Sequence, residues 1–307
     1  MKRVAWLSAV LVAIVACAPA RPEQRLSVVA SFYPLYEFAQ RIGGDRADVR
    51  LLVPPGAEPH DYEPTPQDVV ALGQANLVIY NGAGFEPWIE RLRGEISDRA
   101  VVVDATEGLP LVAAEHGHDH PGEERKEGPQ KEALDPHVWL DPVLAQQQVD
   151  NILAGFVRAD PEGEATYRAN SKALRKDLQA LHERLEQALA DCRIREFITA
   201  HAAFGYFARR YRIKMIPIAG LSPEAEPSPG KLREIVREAR EHGIQVIYYE
   251  RLVSPRVAET IAREVGARTL VLDPVEGLTE EDRREGKTYF AVMDENLRNL
   301  VEGLECR

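Results

Sequence analysis

EATYRANSKALRKDLQALHERLEQALA, residues 164–190, decides the architecture. It contains no Gly or Pro, and Leu174, Leu178, Leu181, Leu185 and Leu189 recur at helical spacing, giving one apolar stripe on an otherwise charged surface. At 1.5 Å per residue a helix of this length spans about 40 Å. That is long enough to run along two lobes as a stiff connector.

On both sides of this segment the chain alternates short β-branched runs with helical patterns, as expected of βα units whose parallel sheet is covered on both faces. Before it, strands are expected at Ser27–Ala30, Val49–Val53, Leu77–Tyr80 and Val101–Asp104, with helices at Tyr33–Ile42, Gln67–Gln74 and Pro87–Gly94. From Pro142 the chain is mostly helical up to the connector. After it, strands are expected at Glu196–Ala200, Met215–Ile218, Gln245–Tyr249 and Thr269–Leu272. Helices are expected at Ala203–Tyr211, Lys231–His242, Pro255–Val265 and, last, Tyr289–Leu304. The fold class is therefore α/β: two similar lobes, 26–160 and 192–307, joined by one long rigid helix at 164–190, with a cleft between them.

The N-terminus reads as an export signal, 1–17. Lys2 and Arg3 precede an apolar run, Val4–Ala16, that is too short to span a bilayer. The run closes on Ile14-Val15-Ala16-Cys17, which resembles a lipobox whose cysteine is acylated after cleavage; the alternative is ordinary cleavage after Ala20. One lipidated cysteine would tether the chain to a membrane without making it integral. Without Lys2 and Arg3 the chain carries 36 basic against 49 acidic residues, a charge of about −13, which disfavours nucleic acid as a partner. Cys192 and Cys306 remain after Cys17, and an oxidising compartment favours their pairing.

Open parallel sheets bind ligands beyond the carboxyl ends of their strands. His60 follows the Val49–Val53 strand and the turn Pro54-Pro55-Gly56. His201 follows Glu196–Ala200, and Asp273 follows Thr269–Leu272. His137 lies in the loop that leads into the helical connector region. Three imidazoles and a carboxylate suit four-coordinate zinc. Spacing alone leaves the set open, because each histidine also reads as an ordinary loop or helix-start residue.

PHDYEPTP at 59–66, DPHVWLDP at 135–142, TAHAAFGYFARRY at 199–211 and EPSP at 226–229 together resemble the metal-binding solute-binding proteins of ABC transporters for zinc and manganese. The resemblance covers nearly all of the chain beyond the signal. It implies an exported, monomeric, non-enzymatic carrier, periplasmic or at the outer face of the cytoplasmic membrane. Such a carrier binds Zn2+ through His60, His137, His201 and Asp273 and delivers it to a membrane permease. Glu58, Glu276 or a water competes for the fourth place. Manganese-type relatives have Glu where this chain has His201, so the softer imidazole favours zinc.

The segment 115–132 is polar, charged and rich in Gly and Pro, and is expected to be a surface loop. Its His116, His118 and His120 read as auxiliary zinc ligands or as a solvated His-rich loop. HGHDH falls one residue short of the His-x-His-x-Asp-His pattern of metallo-β-lactamase-like hydrolases, which argues against that enzyme class. His182 reads as an exposed connector residue, and His242 as a helix-terminal one. Phe204, Phe207 and Tyr211 read as core. Two alternatives keep the fold: a manganese or iron carrier, or an adhesin-like surface lipoprotein with structural zinc.

Overall fold

The computed structural model describes residues 25–113 and 133–307. The expected signal, Cys17 and the three histidines at 116, 118 and 120 lie outside the described residues. Strands β1 (Leu26–Ala30), β2 (Ala47–Leu51), β3 (Leu77–Tyr80) and β4 (Val101–Asp104) form a parallel sheet in the order β2-β1-β3-β4. Strands β5 (Glu196–Thr199), β6 (Lys214–Pro217), β7 (Val246–Tyr249) and β8 (Arg268–Val271) form a second one, β6-β5-β7-β8. The two sheets share one topology.

The first half carries helices α1 (Tyr33–Gly43), α2 (Pro66–Gln74) and α3 (Trp88–Arg91), and α4 (Pro142–Ala159) leads into the connector α5 (Glu164–Ala188). The second half carries α6 (Gly205–Tyr211), α7 (Pro229–Glu241), α8 (Arg256–Val265), α9 (Glu280–Arg284) and α10 (Tyr289–Gly303). Local chemistry places several of these starts. Thr65 and Asp68 form a capping box around Pro66 at the start of α2. Ser228 caps α7, and Thr279 with Asp282 caps α9.

In each sheet alternate residues point to opposite faces. Val28 and Ala30 face a central core, whereas Val29 packs outward with Val78, Leu72 and Trp88 under α2 and α3. Ile198 and Ile247 likewise face outward under α7 and α8. The central core is one continuous body. It runs from Phe32 and Phe38 through Trp139 and the α5 leucines to Phe197, Phe204, Phe207 and Tyr289. Tyr167, Leu174, Leu178, Leu181 and Leu185 form the buried stripe of α5, which packs along α1 and α4 on one side and reaches α10 on the other. The connector is thus pinned into both halves along its length.

Several element boundaries differ from the sequence reading, and one element is additional to it. Strand β2 lies two residues earlier than expected, because Leu26 to Ala30 pair with Ala47 to Leu51; Leu52 and Val53 still donate to Ala30 and Ser31 as the chain leaves the sheet. Helix α9 was not anticipated, although its Thr-x-x-Asp cap was legible. His182 is half-buried, with Nδ1 3.1 Å from the Tyr211 hydroxyl, and so is less exposed than expected. His242 follows α7 and pairs with Glu196 at 2.6 Å.

Cys192 and Cys306 form a disulfide across 114 residues, tying the approach to β5 to the end of the chain. Ile194 donates to Leu304 and Arg193 to Glu305 beside it. A bridge closing so long a loop removes much freedom from the unfolded chain. Replacing both cysteines with serine is expected to lower the unfolding free energy by about 2–5 kcal/mol. Equilibrium urea unfolding checks this; an unshifted midpoint would contradict it.

Candidate metal centre

His60 and His201 lie in the loops that follow β2 and β5, and His137 at the turn that enters α4. After β2, Gly56 adopts φ +83, a left-handed conformation that glycine takes without steric cost, and donates to the carbonyl of Leu278 at 2.8 Å. This ties the first-lobe loop to the second lobe just before His60. The His60 backbone N–H donates to Glu58 Oε1 at 3.1 Å, and its ring stands edge-on to Phe85 with centroids 4.7 Å apart. His137 opens the short turn Val138–Leu140, and both its backbone N–H and its Nδ1 meet Asp135 Oδ1, at 3.0 and 2.8 Å. His201 lies two residues past β5, and its Nδ1 meets Glu250 Oε1 at 2.7 Å.

These contacts fix the rings. A carboxylate at Nδ1 holds the proton there and leaves Nε2 with its lone pair directed away, as at histidine metal sites. The Nε2 atoms of His60 and His201 lie 3.4 Å from that of His137. Glu276 Oε1 lies 3.3 Å from all three. Five of the six separations among these four donors are thus 3.3–3.4 Å, and all six lie within 4.8 Å. A tetrahedron with edges of this length has its centre about 2.0–2.1 Å from each vertex, the bond length of zinc to imidazole nitrogen or carboxylate oxygen. His137 and His201 are fully buried, and Glu276 nearly so.

The structure brings Glu276, not Asp273, to the three imidazoles. Asp273 Oδ2 pairs with Arg251 Nη1 at 3.0 Å, and its Oδ1 accepts from the Val275 N–H at 2.7 Å. Val275 has φ +60. A left-handed backbone at a β-branched residue costs on the order of 1–3 kcal/mol and is rare outside functional sites. It turns the chain so that the side chain three residues beyond Asp273 enters the cluster. Glu58 remains beside His60, bonded to its backbone. Asp135 and Glu250 were not identified from the sequence. The signal for the first is its place two residues before His137, and for the second its place directly after β7.

The electrostatics follow from burial and neighbours. Burial lowers the pKa of His60 and outweighs the pull of Glu276. Burial acts the same way on His137 and His201, but carboxylates win: Asp135 and Glu276 raise His137, and Glu250 and Glu276 hold His201 well above the usual histidine range. Burial disfavours charge on Glu276, yet the surrounding imidazoles hold it well below the usual carboxylate value. Burial and the nearby Glu276 push Glu58 up to about 8. The neighbouring carboxylates therefore favour protons on His137 and His201 when no cation is bound. A bound cation would displace them.

Gly205 opens α6 beside this shell. A methyl group added there would come 2.6 Å from Asp135 Oδ2. The close approach allows Asp135 to reach His137.

Among known proteins, the family model for the zinc-uptake complex component A, periplasmic, matches residues 28–303. The high-affinity zinc uptake system protein ZnuA of Bacillus subtilis is 41% identical over 281 residues, 91% of this chain and 88% of that protein. The crystal structure of the Zn(II)-bound ZnuA-like domain of Streptococcus pneumoniae AdcA superposes with a TM-score of 0.77 at 35% identity, covering 92% of this chain and all of that one. The laminin binding protein Lmb of Streptococcus agalactiae, described as a bifunctional protein with adhesin and metal transporting activity, gives a TM-score of 0.80 at 33% identity over 92% of this chain and all of that one. By the extent of the match and the shared two-sheet fold, this chain belongs to the family of the periplasmic zinc-uptake complex component A.

Proposed function

We propose that this chain is the zinc-capturing component of an ABC-type uptake system, holding Zn2+ through His60, His137, His201 and Glu276 and delivering it to a membrane permease. One observation carries the reading: three imidazole Nε2 atoms and one carboxylate oxygen stand 3.3–3.4 Å apart across five of their six separations. Two of the rings are locked through Nδ1 by buried carboxylates. Zinc is the cargo.

Four protein donors leave no coordination position for an attacking water, whereas a hydrolytic zinc keeps one open beside a positioned base. The site therefore binds and releases without chemistry. All four donors come from one chain, so a single copy suffices. Imidazole at His201 makes the donor set softer than one with a second carboxylate, which favours zinc over manganese. Capture takes place outside the cytoplasmic membrane, with Cys17 as the lipid anchor. Among the described residues no helix is long and apolar enough to cross a bilayer.

The purified mature chain is expected to bind one zinc per molecule and to prefer it to manganese in direct competition. His60→Ala should lose most of that affinity, as measured by metal analysis and chelator competition. Full zinc occupancy in His60→Ala would contradict the assignment. The metal-free chain should stay folded by circular dichroism, because the central core does not depend on the ion; unfolding on zinc removal would point to a structural role for the metal instead.

The pH dependence follows from the imidazoles. Zinc needs them neutral, whereas the carboxylates around His137 and His201 favour their protonated forms in the metal-free chain. Lowering the pH therefore fills the site with protons that compete with the ion. Affinity should fall steeply between about pH 7.5 and pH 5, and zinc binding near neutrality should release protons. Calorimetry in buffers of different ionisation enthalpy measures both; an affinity independent of pH would contradict the set of three histidines.

A further inference from the structure

Among the described residues, the Glu276 carboxylate meets no hydrogen-bonding group other than the imidazoles themselves. Among the described residues its Oε2 is buried without a hydrogen-bond partner, while its Oε1 lies 3.3 Å from the Nε2 of each of the three imidazoles. The aim of this side chain therefore comes from its backbone. That backbone passes through Val275, which is fully buried and left-handed at φ +60. A β-branched residue does not stay in that conformation unless its surroundings impose it.

The surroundings that do so are on every side of the segment. Trp139 Nε1 donates to the Pro274 carbonyl at 2.7 Å, and Gly56 donates to the Leu278 carbonyl at 2.8 Å. Asn296 holds the Asp273 backbone from both ends of its amide: its Oδ1 accepts from the Asp273 N–H at 2.8 Å and its Nδ2 donates to the Asp273 carbonyl at 2.6 Å. Within that frame one side chain acts on Val275 itself. Asp273 Oδ1 accepts from the Val275 N–H at 2.7 Å, a bond from a side chain to the backbone two residues on that folds the chain into a turn. Asp273 Oδ2 is in turn gripped by Arg251 Nη1 at 3.0 Å, and Arg251 Nη2 is anchored on Glu295 at 2.5 Å.

We propose that Asp273 is a positioning residue for zinc binding: clamped by Arg251, it holds Val275 in the left-handed turn that delivers the Glu276 carboxylate to the three imidazoles. Asp273 does not touch the ion. This rests on the ligand set given above, and it explains why an acidic residue two positions past β8 is buried beside the site without facing it. When the Asp273 bond is lost, Val275 relaxes toward an extended or right-handed conformation and turns the Glu276 side chain away. The site then keeps three imidazoles and loses its carboxylate.

The test compares the mature chain with D273A, D273N, V275G and the double variant D273A/V275G. Zinc affinity is read by competition with a chromophoric chelator, and coordination by the visible spectrum of the Co2+-substituted protein. D273A is expected to bind zinc about 10- to 100-fold more weakly, in the range of other residues that orient metal ligands, with an unchanged stoichiometry of one. D273A/V275G should regain most of that loss, because glycine adopts the left-handed turn without the side-chain clamp. The Co2+ spectrum of the double variant should match the wild type. D273N keeps an acceptor for Val275 and loses the charge that Arg251 grips, so it should fall between the two. If D273A fails to fold, the comparison passes to D273N and D273N/V275G, with the same rescue expected.

Wild-type affinity in the aspartate variants would overturn the proposal. So would a loss that glycine at 275 does not restore, since a ligand or a purely structural residue cannot be replaced by backbone freedom two positions away. His137→Ala separates this from the underlying reading. If that variant keeps zinc, the ligand set itself fails and the proposal falls with it. If it loses zinc while D273A does not, only the positioning role is wrong.

Discussion

Donors from the two lobes must meet within 4.8 Å of one another, and a single continuous core makes this possible. Trp139 is the centre of that constraint. Its ring packs against Phe32, Phe85 and His137, its Nε1 donates to Pro274 on the Glu276 loop, and its carbonyl accepts from the Tyr289 hydroxyl of α10. The same residue thus touches a first-lobe histidine and fixes the second-lobe carboxylate loop. Glu37 adds a second tie, accepting from the Tyr289 N–H at 2.6 Å at the start of α10. The Tyr206 hydroxyl adds a third by donating to the Asp135 carbonyl at 2.8 Å. Such packing does not deform continuously. Opening of the site would require one lobe to shift as a body.

The charge arrangement follows from the same geometry. Asp135, Glu250 and Glu276 all bear on three imidazoles in a region closed to water, where electrostatic interactions are strong. The carboxylates at Nδ1 of His137 and His201 orient those two rings and raise their basicity, and Glu276 supplies the one donor with formal charge. With zinc bound, the four donors would leave a local charge of about +1, which the outer carboxylates offset. Without it, the same carboxylates favour protons on His137 and His201. Site occupancy is thereby tied to pH through the residues that shape the site.

Much of this was legible in the sequence where a period or a motif carried the signal. The leucine spacing of 174–189 gave the connector, because one buried stripe on a long helix has a single reading. The β-branched runs gave all eight strands, with β2 displaced because its pairing begins at Ala47 rather than where the aliphatic side chains are densest. His60, His137 and His201 stood out as loop residues in recognisable motifs. The fourth position did not. Asp273 directly follows its strand and looked best placed, whereas Glu276 reaches the cluster only because Val275 turns left-handed. A valine gives no hint of that conformation; a glycine there would have done so. The orienting carboxylates Asp135 and Glu250 were hidden for a related reason, since a residue that faces a histidine across the fold leaves no periodic mark.

X-ray absorption at the zinc edge of the stoichiometrically loaded chain reads the atoms around the ion directly. The expected spectrum shows a single shell of four light donors near about 2.0–2.1 Å, with the outer scattering of three imidazole rings. A shell of six oxygens, a sulfur contribution, or scattering from fewer than three rings would contradict it.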